Sequence, residues 1–223
     1  MTGKRRSFYG WGYQEDAVST DELSWFEGTW ANLFGVDGFD PAPMPVEDEI
    51  SLRAPRISIP KSLQAFCTDG KYDRLLHSYG RSVHDLARMI HHRDFTNPPD
   101  AVAYVRDEAD IQAVLDWCGA NDMAAVPFGG GSSVVGGVNP PSHDRYRGTV
   151  TINLGHLNKV LEIDKVSQAA RIQAGALGPD LESQLRPSGL TMRFFLQAWE
   201  FSSLGGWIAT RAAGHFATAY TQI

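Results

Sequence analysis

The sequence is poor in cysteine and has no excess of positive charge. Its 223 residues include two cysteines, Cys67 and Cys118, which lie far apart and outside any CxxC motif. They provide neither a zinc framework nor a disulfide scaffold and suit a reducing compartment, so we expect a cytoplasmic protein. The formal net charge of −6 argues against nucleic acid as a partner, because nucleic-acid-binding domains present basic surfaces.

Long apolar runs are also missing. No segment approaches the roughly 18–20 apolar residues of a transmembrane helix, and no apolar stretch follows the basic start as in a secretory signal. The adjacent His91 and His92 point about 100° apart on a helix, unlike the histidines of an HExxH motif, so we expect no metal site. What remains is a globular composition, with 43% hydrophobic and 21% charged residues.

The first sixty residues differ from the rest. They contain Trp11, Trp25 and Trp30, followed by a proline-rich stretch at residues 41–45 that is predicted to be extended. Three tryptophans in so short a segment indicate an arm that packs onto something. We expect this arm to cover the surface of the protein's own domain.

A helix is predicted to begin after Ser82, because Ser82 and Asp85 have the spacing of a capping box. One apolar face is expected to follow at helical spacing, formed by Val83, Leu86, Ala87 and Ile90. Beyond the Pro98-Pro99 break, residues 101–105 and 123–128 have strand character. A helical pattern separates them, with Ile111, Val114, Leu115 and Cys118 on one face. This order predicts a βαβ unit and a parallel pair.

The hydrophobic period changes to two at residues 149–154, which predicts a further strand. Residues 160–163 and 170–174 are predicted to form two more strands joined by a polar turn. A short helix should begin near Pro179, with Leu181 and Leu185 on its apolar side. The fold class is therefore α+β, starting with a βαβ unit and continuing with a mainly antiparallel part.

A glycine-rich loop follows the second predicted strand directly. Gly129, Gly130 and Gly131 remove the side chains that would keep a ligand from the backbone, and Ser132 and Ser133 add hydroxyls. Successive amides in such a loop can bind phosphate. The loop is not a P-loop, since a glycine stands where that motif has lysine, and it lacks the Rossmann fingerprint.

A second stretch, residues 197–211, combines hydroxyls, glycines and one cation. Two such loops in one domain suggest a dinucleotide ligand. Arg211 is the best charged candidate there, either as a phosphate or flavin contact or as half of a structural salt bridge.

These two motifs, Pro127-Phe128-Gly129-Gly130-Gly131-Ser132-Ser133-Val134 and the block from Glu200 to Arg211, resemble the FAD-binding domain of the vanillyl-alcohol-oxidase (PCMH-type) flavoproteins. Within that family, the Trp207-to-Arg211 block and the Gly10-Trp11-Gly12-Tyr13 start resemble the alkyldihydroxyacetonephosphate synthase subgroup. The resemblance implies an N-terminal arm and helical segment at 1–97 and the PCMH-type domain at 98–223.

The resemblance also implies the cofactor and its contacts. The FAD diphosphate would lie on Pro127, Phe128, Gly129, Gly130, Gly131, Ser132 and Ser133. The rest of the nucleotide would be lined by Gln197, Ala198, Trp199, Glu200, Phe201, Ser202, Ser203, Thr210, Arg211, Ala212 and Ala213. Relatives with covalent flavin often carry histidine in the loop, whereas Ser132 stands there in this chain, so noncovalent FAD is expected.

The resemblance further implies an activity, in which flavin helps to exchange the acyl group of acyl-dihydroxyacetone phosphate for a fatty alcohol without net redox change. We expect the domain to be incomplete at Ile223, with the catalytic tyrosine and histidines of the family and the binding of its lipid-type substrate beyond it, so no catalytic residue is assigned. Two alternatives remain open: a fragment of an FAD-linked 2-hydroxy-acid oxidase or dehydrogenase, and a non-catalytic remnant.

Overall fold

Two sheets form the framework of the protein, which we describe from a computed structural model over residues 3–141, 145–214 and 222–223. The larger sheet contains β1 (Cys67–Thr68), β2 (Ala101–Tyr104), β3 (Ala124–Phe128) and β4 (Thr149–Asn153) in the order β1-β2-β4-β3. The smaller one pairs β5 (Val160–Asp164) with β6 (Ala169–Ile172). The mixed α+β class predicted from the sequence is confirmed.

Six α-helices are present in the described part of the chain. They are α1 (Thr20–Phe34), α2 (Lys71–Leu76), α3 (Val83–Ile90), α4 (Glu108–Ala120), α5 (Gly178–Leu185) and α6 (Leu204–Thr210). Short 3-10 turns occur at Gln14–Asp16, Glu47–Glu49, Arg186–Ser188 and Trp199–Phe201. Within the described ranges, no helix combines the length and apolar composition that a membrane crossing requires.

The predicted strand–helix–strand unit is present as β2, α4 and β3, but its two strands do not pair with each other. Both run parallel to β4, which is inserted between them. The alternating pattern predicted β4 correctly as a strand, yet Thr149 and Thr151 are as buried as Val150 and Ile152. A central strand covered on both faces explains this burial.

Helix α3 begins as predicted, but its buried face differs. The hydroxyl of Ser82 accepts a hydrogen bond from the amide of Asp85, and the Asp85 carboxylate accepts one from the amide of Ser82. Met89 is fully buried, whereas Val83 is 84% exposed. The expectation that Val83 belongs to the apolar face was wrong, because the side buried against Phe8, Tyr79 and Phe95 is the one that carries Met89.

The second half of the chain builds its own core around the β5–β6 hairpin. The two predicted strands pair antiparallel, and α5 starts with Pro179 in its first turn. Leu181 and Leu185 are buried there against Trp207 of α6. The hairpin and the short helix are therefore confirmed.

The N-terminal arm divides into a packed and an unpacked part. Phe8 is buried in a cluster with α2 and α3, but α1 has no buried residue, and Trp25 is 65% exposed. The expectation that the tryptophans cover the domain's own surface was wrong for Trp25 and Trp30. Local capping accounts for α1, since Ser19 and Glu22 form a capping box and Gly35 ends the helix in the left-handed conformation, φ 65°.

Candidate functional site

The candidate site lies at the carboxyl edge of the larger sheet. Tyr104 and Phe128 are the last residues of β2 and β3, and both are in register with Asn153, the last residue of β4. The glycine loop leaves the sheet at this edge, directly after Phe128. Open α/β sheets bind their ligands outside the carboxyl ends of parallel strands, so the loop starts where a ligand is expected.

The glycine loop presents a run of backbone amides without an acceptor in the described part of the chain. Among the described residues, none accepts a hydrogen bond from the amides of Gly129, Gly130, Gly131, Ser132 or Ser133. Gly131 is buried and has a φ of 73°, a conformation that favours glycine. Unpaired amides that succeed one another in a turn form the kind of concavity that binds anions.

The glycines also bring the two predicted loops into contact. A Cβ atom on Gly130 would lie 1.7 Å from the carbonyl oxygen of Phe201, and one on Gly129 would lie 1.9 Å from the hydroxyl of Ser203. The side-chain space of these two glycines is therefore filled by the second loop of the chain itself, instead of remaining open to a ligand. Residues 129–131 and 201–203 thus form one surface, as expected for two loops that serve one site.

The hydroxyls of the second loop have structural partners. Ser203 caps α6, where its hydroxyl accepts from the amide of Gly206, at 3.4 Å. Ser202 donates to the carbonyl of Ala198 at 2.7 Å and accepts from the indole nitrogen of Trp207 at 2.8 Å. Both hydroxyls therefore hold the loop in place. The ligand contact that we expect for these two serines stays a prediction.

The other predicted contact residues differ in exposure. Phe128 and Gly131 are buried, and the half-buried ones are Gly129, Gly130, Ser132, Ser133, Ala198, Trp199, Phe201 and Ala212. The exposed ones are Pro127, Gln197, Glu200, Thr210, Arg211 and Ala213. Arg211 ends α6 with a left-handed φ of 50° and has no ion pair with any described residue, so the salt-bridge alternative gains no support.

The N-terminal arm reaches this site, which the sequence did not reveal. The guanidinium of Arg6 donates to the carbonyl of Gly130 at 3.2 Å and lies 4.8 Å from the ring centroid of Phe201. The rings of Trp11 and Tyr13 lie 6.2 and 6.1 Å from the same phenylalanine ring. The Gly-Trp-Gly-Tyr motif was the only signal for this contact, and nothing in it pointed to Arg6.

A buried histidine packs behind the glycine loop. His77 lies 4.3 Å from the ring of Phe128, and its Nδ1 donates to the carbonyl of Asp73 at 2.7 Å. Its Nε2 accepts from the side-chain amide of Asn153 at 2.8 Å, so both ring nitrogens are used by the neutral form. Burial lowers the pKa of His77 to about 4, and the nearby cations Arg81 and Arg6 act in the same direction.

A comparison with models of known protein families identifies the family from the second half of the chain. The family model described as "FAD binding domain" matches residues 99–223. The chain belongs to this family. It is an FAD-binding domain of the PCMH type, as the two loops predicted.

Known proteins resemble the chain over different lengths. It is 35% identical to an alkyldihydroxyacetonephosphate synthase of Dictyostelium discoideum, over 70% of this chain and 25% of the relative. A mitochondrial D-2-hydroxyglutarate dehydrogenase of Arabidopsis thaliana is 30% identical over 49% of this chain and 19% of the relative. A solved structure of alkyldihydroxyacetonephosphate synthase in space group P1 superposes with a TM-score of 0.83 and 28% identity, over 98% of this chain and 45% of the solved one. The chain thus spans less than half the length of these relatives.

Proposed function

We propose that FAD binds noncovalently across the two loops, and that the chain is the FAD-binding part of an enzyme similar to alkyldihydroxyacetonephosphate synthase. The main support for the position of the cofactor is the run of amides at residues 129–133, for which no described residue provides an acceptor. A diphosphate supplies several acceptor oxygens in a row and fits such a run. The contact between residues 129–131 and 201–203 supports one shared site for both ends of the dinucleotide.

The residues around the loops have distinct roles in this proposal. Residues 127–133 bind the diphosphate, and residues 197–203 and 210–213 line the rest of the nucleotide. The capping hydroxyl of Ser203 and the bond from Trp207 to Ser202 fix the conformation of the second loop, so this side of the site is ordered before the ligand arrives. When bound, FAD supplies the flavin ring at which the chemistry of such enzymes takes place.

The reaction we favour is the exchange of the acyl group of acyl-dihydroxyacetone phosphate for a fatty alcohol, a step of ether-lipid synthesis. Support comes from the sequence alignments, since the synthase of Dictyostelium discoideum aligns with 70% of this chain and the dehydrogenase with 49%. The dehydrogenase match favours the second candidate, FAD-linked oxidation of a 2-hydroxy acid. No residue of this chain is assigned a catalytic role in either reaction.

Titration of the purified chain with FAD tests the cofactor. We expect quenching of flavin fluorescence that saturates at one FAD per chain. A correctly folded chain that leaves flavin fluorescence unchanged would contradict FAD binding and favour the non-catalytic remnant.

The linkage of the flavin can be tested on the same sample. Because Ser132 offers no imidazole for a bond to the flavin, acid precipitation should release the yellow colour into the supernatant. Colour that stays in the precipitate after washing would show a covalent bond.

Anaerobic addition of a 2-hydroxy acid tests the dehydrogenase candidate. A D-2-hydroxy acid that reduces the bound flavin would bleach its visible absorbance, because oxidation of the substrate transfers two electrons to the cofactor. Acyl exchange has no net redox change, so we expect the absorbance of oxidised flavin to persist with D-lactate and D-2-hydroxyglutarate. Bleaching by either acid would favour the dehydrogenase.

A further inference from the structure

The glycine loop has no positively charged side chain of its own. The diphosphate of FAD carries two negative charges, and residues 127–133 contain no cation. In the second block, the negative charge of Glu200 is matched by the positive charge of Arg211. Amide dipoles alone can bind an anion, and a nearby lysine or arginine strengthens the binding of phosphate through charge-assisted hydrogen bonds. The structure places two arginines beside the loop, one on the N-terminal arm and one before α3.

Arg81 is locked in place by the backbone. Its guanidinium is buried and donates to the carbonyls of four residues, which are Ser7, Gly10, Tyr79 and Gly80. Its own amide donates to the carbonyl of Ser133 at 2.7 Å. Arg81 thus ties the N-terminal arm to the end of the glycine loop and has little donor capacity left for a ligand.

Arg6 is held differently. One of its terminal nitrogens donates to Gly130, and the guanidinium lies over the ring of Phe201. Its Nε atom is buried and has no hydrogen-bond partner among the residues that the structure describes. No carboxylate within the described ranges forms an ion pair with Arg6. A half-buried guanidinium whose buried Nε donor is unused and that lacks a counter-ion among the described residues is costly, and a bound anion would reduce that cost.

The electrostatic surroundings of Arg6 also favour a bound anion beside the glycine loop. Burial lowers the pKa of Arg6, and only the neighbouring tyrosines Tyr13 and Tyr72 act against it. Burial also lowers the pKa of Arg81 to about 10, with Arg6 contributing in the same direction. The two cations therefore repel each other at the edge of the glycine loop. A dianion there would be attracted by both.

We propose that the Arg6 guanidinium is the cationic contact for the diphosphate of FAD, supplying from the N-terminal arm the charge that P-loops obtain from their own lysine. This inference rests on the proposed binding of FAD at the two loops. The arm is then part of the cofactor site, and the neighbouring ring of Phe201 holds the guanidinium beside Gly130.

Two substitutions separate charge from packing. Arg6→Lys keeps the positive charge but loses the planar fork. Arg6→Gln loses the charge but can still donate one hydrogen bond to the Gly130 carbonyl. If Arg6 acts through charge, Arg6→Gln should weaken FAD binding about 10- to 100-fold, as expected for a charge-assisted hydrogen bond, while Arg6→Lys stays within a few-fold of the unmodified chain.

ADP serves as a second probe, because it contains the diphosphate without the flavin. Arg6→Gln should lose affinity for ADP by the same factor as for FAD, and the dependence of its Kd on salt should be weaker. Arg5→Gln is the matched control. Arg5 is the neighbouring cation, but it pairs with Glu47 at 2.7 Å and stacks on Tyr72, so its removal should leave both affinities unchanged.

Several results would overturn the inference. One is an Arg6→Gln variant that melts normally and binds FAD as tightly as the unmodified chain. Another is an Arg6→Lys variant as weak as Arg6→Gln, which would make Arg6 a packing residue. If Arg6→Gln does not fold, Arg6→Lys decides alone, since near-normal affinity supports the charge role and a tenfold loss contradicts it.

The affinities for ADP and FAD distinguish a failure of the proposed function from a failure of the inference about Arg6. If the unmodified chain binds ADP but not FAD, and Arg6→Gln loses ADP, the FAD proposal fails while the role of Arg6 stands. If the unmodified chain binds neither ligand, both fail.

Discussion

At the scale of single residues, the two loops touch only because particular side chains are missing. The carbonyl of Phe201 occupies the position that a side chain at residue 130 would need. A peptide carbonyl cannot turn aside as the end of a flexible side chain can, so even one methyl group would push the loops apart.

We therefore expect Gly130→Ala to lower the free energy of unfolding by about 2 kcal/mol, the cost of overpacking a site that cannot relax. Gly137→Ala is the matched control, because its Cβ would meet only the hydroxyl of Ser133, at 3.4 Å. Urea unfolding of both variants, followed by intrinsic fluorescence, measures the difference. Equal stability of the two variants would mean that the loops are not in contact.

His77 makes stability depend on pH. Its folded-state pKa of about 4 lies below the value of about 6.5 for an unfolded chain, so protonation favours the unfolded state. The contribution is fully present above pH 6.5 and is lost as the pH falls toward 4. The shift corresponds to about 3 kcal/mol.

His77→Asn should remove this dependence. Between pH 7 and pH 4, the unmodified chain should lose about 3 kcal/mol more unfolding free energy than the variant does. Urea titrations at several pH values test this. Parallel pH profiles for the two proteins would show that His77 is not buried in its neutral form.

The site could be predicted from sequence only where its residues are adjacent in the chain. The glycine loop and the 197–211 block each show their chemistry within a few positions. Arg6 and His77 do not, because each is brought to the loop by tertiary packing, from 124 residues away in the case of Arg6. A single arginine or histidine carries no pattern that distinguishes it from a surface residue.

At the scale of secondary-structure elements, local sequence signals predicted individual helices and hairpins well. They did not predict which strands lie next to each other in the sheet. The capping box at Ser82 and the β5–β6 hairpin follow from residues close in sequence, and both are confirmed. The position of β4 between β2 and β3 depends on pairings across the sheet, which no local pattern encodes. Helix α1 was missed, although Ser19 and Glu22 have capping-box spacing.

Helix α1 provides a test of what tryptophan burial contributes. Trp25 is 65% exposed on α1, whereas Trp207 is 2% exposed in the core of the second half. Trp25→Ala should change the free energy of unfolding by no more than about 0.5 kcal/mol, as is usual on a surface. Trp207→Ala should cost about 3–5 kcal/mol, because it leaves a cavity and also removes the bond to Ser202.

Chemical denaturation of the two alanine variants compares them directly. A large loss for Trp25→Ala would show that α1 packs against something in solution. The exposed aromatic side chains of this helix also favour self-association, so Trp25→Ala should bind less of a hydrophobic dye than the unmodified chain does.

At the scale of the whole molecule, the two cysteines report on global unfolding. Cys67 and Cys118 are buried in the core of the larger sheet. Burial raises the pKa of Cys67 to about 12 and that of Cys118 to about 11. Both factors suppress the thiolate, which is the reactive form.

We expect a thiol reagent such as Ellman's to react very slowly with the native chain and with two thiols once it is unfolded in urea. The urea midpoint of thiol exposure should coincide with that of fluorescence, because the sheet core opens as one unit. Rapid reaction of either thiol in native buffer would indicate that the sheet opens locally.

The strand order also sets an order of events during synthesis. Strands β2 and β3 leave the ribosome before β4. Among the described strands, β3 pairs only with β4, and β2 has only the two-residue strand β1 as a second partner. Until residues 149–153 have emerged, the nascent chain holds α4 between two apolar strands that have no common partner. Such unpaired edges are prone to bind other chains, and contacts of large sequence separation form late. We therefore expect a chaperone that shields residues 101–128 during that interval to raise the yield of this protein.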